Sequence, residues 1–181
     1  AHVDATVGLD NTLVVLSADH GAPEHPDYLA TFGIEAGLFD FQRVDTEPGF
    51  VRLQLDFGAS RDLIQNFSNP YLYLNQELIA QKGLDPEAVE LAVADELRKL
   101  PGIAFAVGSS ALRAGSFPRS KITDAVLANF HSERSGDIYV VFEPHWFVAD
   151  FDGLTVASAH GSPWTYDTHV PLIFSGPGLK Q

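Results

Sequence analysis

Thr12-Leu-Val-Val-Leu-Ser-Ala-Asp-His-Gly21 joins an apolar run directly to two side chains able to bind a metal. Residues 13–16 are aliphatic without a break and span a strand's length. A run that does not alternate predicts a strand buried on both faces, as in the middle of a parallel sheet. Asp19 and His20 then emerge at its carboxyl end, the edge at which open α/β sheets bind ligands. Gly21 and Pro23 turn the chain away. A carboxylate and an imidazole side by side are suited to share one metal ion, and equally suited to a solvated loop.

A second apolar run, residues 170–174, predicts another buried strand, with Ser175-Gly-Pro-Gly178 as its turn. The loop before it carries His160, Asp167 and His169. With thiolates absent, zinc takes imidazole and carboxylate ligands. Asp19, His20 and one of the two later histidines make such a set from two distant loops.

Between these ends the texture changes. Residues 50–55 alternate like a half-buried strand. Ser60 is placed to cap a short helix that turns Leu63, Ile64 and Phe67 inward. A strand at 71–74 and a short helix around Leu78 and Ile79 follow. Asp85-Pro-Glu87 is a helix start, with a cap and then proline at the first helical position. Val89, Ala92, Val93, Leu97 and Leu100 continue it at helical spacing until Pro101-Gly102. Residues 103–107 read as a strand, and Ser120 opens a helix with Ile122, Val126 and Phe130 on one face. Residues 137–142 read as a strand. This middle stretch gathers no metal-type or nucleophile-type cluster. The expected division is therefore a core part at 1–47 with the Asp-His motif, an inserted small α/β subdomain at 48–144, and a return to the core at 145–181.

The 181 residues are enough for one domain with a real core, and 45% are hydrophobic. A net charge of -13 repels nucleic acid and anionic membrane. It leaves a phosphate substrate open, because a bound metal inverts the local field. With no cysteine there are no disulfides, thiolate zinc sites or cysteine nucleophiles. No run approaches a membrane span, and no charged-then-apolar leader opens the chain. Methionine is absent, position 1 included, and residues 1–6 read as a helix tail whose upstream part is missing.

Leu13-Val-Val-Leu-Ser-Ala-Asp-His-Gly21, with His160-Gly-Ser-Pro-Trp-Thr-Tyr-Asp-Thr-His-Val-Pro-Leu-Ile-Phe174, resembles the C-terminal part of the alkaline phosphatase superfamily. The likeness is to the type I phosphodiesterase/nucleotide pyrophosphatase branch and its PafA-like phosphatases. It continues at Pro70-Tyr-Leu-Tyr-Leu-Asn75 and Arg134-Ser-Gly-Asp137. The resemblance implies an α/β fold with a mainly parallel sheet flanked by helices.

It also implies two zinc ions clamping the attacking and leaving oxygens of a phosphate ester. Asp19 and His20 would ligate one ion and His160 the other. His169, Asp167 and His25 would support the ligands or pack the loops. The family's Thr or Ser nucleophile and its other ligands precede the counterpart of Ala1. They would belong to a missing N-terminal part of the same protein, and this chain alone would be inactive.

The implied activity is alkaline phosphomonoesterase through a phosphoenzyme, on a small phosphate ester, in a periplasmic or secreted protein. The alternatives are a phosphodiesterase or nucleotide pyrophosphatase of the same superfamily, or an inactive fragment with an interaction role. The second histidine motif argues against a sulfatase. His131 and His145 are expected to cap or pack, and Trp146 and Trp164 to be core or rim aromatics.

Overall fold

Gly8, with φ +86°, stops the opening helix α1 (His2–Thr6), and a 3₁₀ turn (Leu9–Asn11) leads into β1 (Val14–Ser17). The structure, a computed structural model, describes residues 2–59, 62–151 and 154–179. After β1, the proline-bracketed loop holds α2 (Pro26–Ala30). His25 caps it through Nδ1, which accepts the backbone N–H of Asp27 at 3.3 Å. Then come β2 (Gly37–Leu38) and a 3₁₀ turn (Phe41–Thr46) capped by Asp40.

The alternating strand expected at 50–55 is instead a helix, α3 (Pro48–Asp56). Proline is pre-set for a first helical turn. Phe50, Leu53 and Gln54 are buried at i, i+3, i+4 spacing while Leu55 stays exposed, which is a helical face rather than a strand face. The next element reverses in the other direction. Residues 64–67 were expected in a short helix, yet β3 (Ile64–Ser68) is a strand paired antiparallel with β4 (Tyr71–Leu74). Asn69-Pro70 is good turn chemistry, so a hairpin outcompetes one helical turn, and Ile64 and Phe67 suit a half-buried strand. Ser60, the cap expected for that helix, lies outside the described residues.

The helices expected around Leu78, from Pro86 and after Ser120, and the strands expected at 103–107 and 137–142, match the sequence reading. Asn75 caps α4 (Gln76–Lys82), which Gly83 ends at φ +64°. Asp85 accepts the N–H of Glu87 and starts α5 (Pro86–Leu97), where Val89, Val93 and Leu97 are fully buried. Next are β5 (Ile103–Gly108), α6 (Ser109–Ala114) and α7 (Lys121–Asn129). Ser120 and Thr123 cap α7 reciprocally. All five residues of β6 (Ile138–Phe142) are buried. The chain closes with β7 (Trp146–Phe147), β8 (Asp150–Phe151), β9 (Leu154–Thr155), α8 (Thr165–Thr168) and β10 (Leu172–Ser175).

Four strands form a sheet in the order β3-β4-β6-β5, each neighbour antiparallel. β6 serves both faces by alternation. Ile138, Val140 and Phe142 join the cluster that contains Leu53 and Val93, while Tyr139 and Val141 join one with Leu112 and Val126. The strand buried on both faces is thus β6. Phe39 and Val44 before this unit, and Val148 after it, pack into the first cluster. At the neck β2 pairs parallel with β7, Gly37 opposite Trp146 and Leu38 opposite Phe147.

The fold class is α/β as expected, in small mixed sheets. Among the described residues the one parallel pairing is β2 with β7, so the mainly parallel sheet is corrected. Strands joined by hairpins and short connections pair antiparallel. β1 also departs from expectation. It pairs antiparallel with β10, Ser17 opposite Leu172, and every residue of both strands is exposed, Leu16 by 58% and Leu172 by 63%. Neither run is the buried strand expected, because a two-stranded ribbon covers neither of its own faces.

Candidate active site

Antiparallel pairing sets the end of β1 beside the start of β10. Asp19 and His20, just past β1, therefore meet the loop that runs into β10. The rings of His20 and His160 stack with centroids 3.7 Å apart and planes 14° from parallel.

Within the Asp-His pair, Asp19 Oδ1 accepts the backbone N–H of His20 at 3.1 Å. His20 Nδ1 lies 2.7 Å from the Gly21 carbonyl. That contact fits a proton on Nδ1, which leaves the Nε2 lone pair free for a metal. Asp19 Oδ2 is 3.6 Å from His20 Nε2. Two tetrahedral ligands about 2.1 Å from one zinc ion sit about 3.4 Å apart. The pair therefore fits a shared ion. Among the described residues no group of three or more His, Asp or Glu side chains is arranged to hold one metal.

A cavity of about 350 Å³ lies between the two loops, lined by Asp19, His20, Asn129, Tyr139, His160 and Asp167 among others. Among the described residues no Lys or Arg lines it. Burial pushes the Tyr139 phenol above its usual range although Asn129 Nδ2 donates to it at 2.9 Å, so the ring brings no charge.

Asp167 is 4% exposed. Its Oδ2 accepts the N–H of Ser162 at 2.7 Å, while Oδ1 is buried with no hydrogen-bond partner among the described residues. Its carbonyl accepts the N–H of Gly21 at 2.8 Å. A Cβ on Gly21 would stand 1.8 Å from the Tyr166 carbonyl oxygen, so only glycine fits there. Ser158 Oγ also reaches across, donating to the Pro23 carbonyl at 2.5 Å.

Asp19, His20, His160 and Asp167 are thus brought together, whereas His169 and His25 are not among the cavity's lining residues. His169 ends α8 with its N–H on Thr165 O. His131 caps a turn through the Glu133 N–H, and His145 stacks on Tyr166. Trp146 packs against the main core cluster, while Trp164 packs in the second and donates from Nε1 to Phe142 O at 2.9 Å.

Sequence reasoning missed Asn69, whose Nδ2 donates to the His160 carbonyl at 3.1 Å. It also missed Tyr166, whose phenol accepts the His145 N–H and is pushed up by burial. The Tyr-Asp step inside the histidine loop was the available signal.

No protein-family model matches the chain. Over 180 residues, 99% of this chain, it is 32% identical to a calcium-transporting ATPase of Myroides odoratus. Over the same share it is 30% identical to alkaline phosphatase PafA of Elizabethkingia meningoseptica. Each match covers 32% of the relative. Alkaline phosphatase PhoV of Synechococcus elongatus is 25% identical over 179 residues. The crystal structure of wild-type PafA matches with a TM-score of 0.78 and 29% identity, covering 99% of this chain and 33% of that one. The chain spans about a third of the length of these relatives. Sequence and fold agree over nearly all of it, and the chain belongs to the alkaline phosphatase superfamily, with the PafA-like phosphatases as its kin.

Proposed function

We propose that the chain carries part of the two-zinc site of an alkaline phosphomonoesterase that works through a Thr or Ser phosphoenzyme. The observation that carries this is the cavity that gathers two histidines and two aspartates, with no Lys or Arg in its lining among the described residues. Such a cavity repels a phosphate ester until cations enter it. Zinc, when bound, supplies positive charge at the attacking and leaving oxygens.

Asp19 and His20 hold one ion from one loop, and His160 serves the other from the facing loop. The Gly21 carbonyl fixes the His20 ring so that Nε2 points its lone pair outward. Tyr139 stays neutral and hydrogen-bonded, which adds no competing charge. The alkaline phosphatase names of PafA and PhoV support a monoester substrate over a diester. By family resemblance the attacking hydroxyl belongs to a segment that precedes the Asp19 motif, and the protein works in the periplasm or outside the cell. No helix among the described residues is long and apolar enough to cross a membrane.

The test uses the native polypeptide carrying this chain at its full length. Hydrolysis of p-nitrophenyl phosphate falls more than about 100-fold in His160→Ala, beyond the loss seen for residues that merely support ligands. The isolated 181 residues show no turnover. Wild-type kcat/KM in the variant sinks the proposal. So does turnover by the isolated chain that His160→Ala abolishes, since the nucleophile would then lie within it.

A further inference from the structure

We infer that Asp167, with Gly21, is the positioning element that holds the two histidine loops at metal-binding separation. The inference rests on the reading of Asp19, His20 and His160 as ligands.

The loops are far apart in sequence, and the stacked rings of His20 and His160 touch face to face, a contact that sets distance better than direction. The hydrogen bond of the His20 ring stays within its own loop, at Gly21 O. Asp167 supplies the directional links. Its carbonyl takes the N–H of the residue next to His20, and its carboxylate takes the N–H of Ser162, two residues past His160. One residue therefore ties the residue after the first histidine to a residue just beyond the second.

Glycine at 21 makes this tie possible. Its requirement is a close approach, not a special turn. An added Cβ would meet backbone atoms, Tyr166 O at 1.8 Å and Tyr166 C at 2.9 Å, which cannot swing aside as a side-chain tip would.

The second oxygen of Asp167 points to what the tie serves. A buried carboxylate oxygen without a hydrogen bond is costly, and such groups are rare unless their partner comes from elsewhere. Asp167 lines the same cavity as His20 and His160. A divalent cation entering that cavity offsets the uncompensated charge, so the Asp167 carboxylate and metal loading favour each other. Outer partners of metal ligands typically change affinity 10–100-fold when mutated.

Asp167→Asn separates scaffold from charge. Its amide oxygen still accepts the Ser162 N–H, and its backbone carbonyl still accepts from Gly21. In the full-length native polypeptide, zinc affinity is measured by competition with a chromophoric chelator, and amide hydrogen exchange is followed without metal. Asp167→Asn is expected to keep the amides of Gly21 and Ser162 protected while zinc affinity drops about 10–100-fold. Gly21→Ala is expected to lose protection at Ser162 and to weaken zinc by a similar factor. Should Gly21→Ala fail to fold, Asp167→Ala, which removes the Ser162 tie, takes its place and is expected to weaken zinc beyond Asp167→Asn.

His160→Ala is the control. If it lowers zinc affinity while folded Gly21→Ala, or Asp167→Ala in its place, binds zinc like wild type, the positioning role is overturned and the ligand reading stands. Asp167→Asn at wild-type affinity overturns the charge coupling. If His160→Ala also leaves zinc affinity unchanged, the ligand reading falls and the inference with it.

Discussion

Asp137→Ala should unlatch the four-stranded sheet where β4 leaves its partner. The β4–β6 register pairs Tyr71 with Tyr139 and Leu72 with Ile138. Beyond it, the N–H of Leu74 has the Asp137 carboxylate as acceptor, at 2.7 Å. Leu74 is 1% exposed, so water does not replace a lost acceptor easily. Hydrogen bonds to charged groups contribute about 1.5–3 kcal/mol, and a buried N–H left unpaired costs about 1–3 kcal/mol. The second carboxylate bond, to Gln76 Nε2 at 2.9 Å, is exposed and adds little.

The expected loss is about 2 kcal/mol, since the two estimates describe the same deletion. For a chain of this size that lowers the melting temperature by roughly 4–8 °C. Asp137→Asn keeps a neutral acceptor for Leu74 and should lose at most about 1 kcal/mol. Urea denaturation followed by circular dichroism gives both values. Asp137→Ala within about 0.5 kcal/mol of wild type refutes the reasoning, given that surface changes fall within that margin. Equal damage from Asp137→Asn also refutes it, because charge and not the Leu74 bond would then matter.

Two further outcomes follow from the same packing. Burial pushes the Glu90 carboxyl above its ordinary 4.5, against the lowering effect of the Ser110 hydrogen bonds and Arg113. A raised folded value gives a contribution that is full below the unfolded pKa and is lost as pH rises through the folded one. Glu90→Gln should therefore gain in melting temperature over wild type as pH rises above about 4.5, and a difference flat from about pH 4 to pH 8 is the refuting result. At the neck, a Cβ on Gly37 would press on the Trp146 ring at 2.6 Å, and that ring also lies close against Gly102. Gly37→Ala should cost about 1–3 kcal/mol as overpacking, seen as a lower urea midpoint, and an unmoved midpoint counts against it.

Local chemistry was legible wherever one residue type has one physical use. Asp85 and Ser120 cap the helices that their sequence signals, and Gly8 sits at a stop with positive φ. Family resemblance grouped Asp19, His20 and His160, and the structure stacks the rings of the two histidines. Short segments were less legible. At residues 50–55, proline and the i, i+3, i+4 burial outweighed a brief alternation. At 64–68 a hairpin partner decided in favour of strand.

Burial of the two apolar runs was not legible either, because 13–16 and 138–142 look alike in composition. Only the second has packed layers on both sides, and composition does not say what lies above a strand. Gly21 read as a turn residue, whereas its need is steric and comes from Tyr166, about 145 residues away.

The parallel pair at the neck has a consequence for how the site comes together. Closing β1 onto β10 joins Ser17 to Leu172 across about 155 residues of chain. If Leu38 and Phe147 are already paired, the chain left to close is about 45 residues, since the paired neck holds the two ends of everything between them together. Closure entropy grows with the logarithm of loop length, so the shortcut is worth about 1 kcal/mol. The two metal-type motifs then meet at an effective concentration roughly five-fold higher than along the open chain. The neck thus works as a folding relay, passing the order of the four-stranded unit to a ribbon that has little packing of its own.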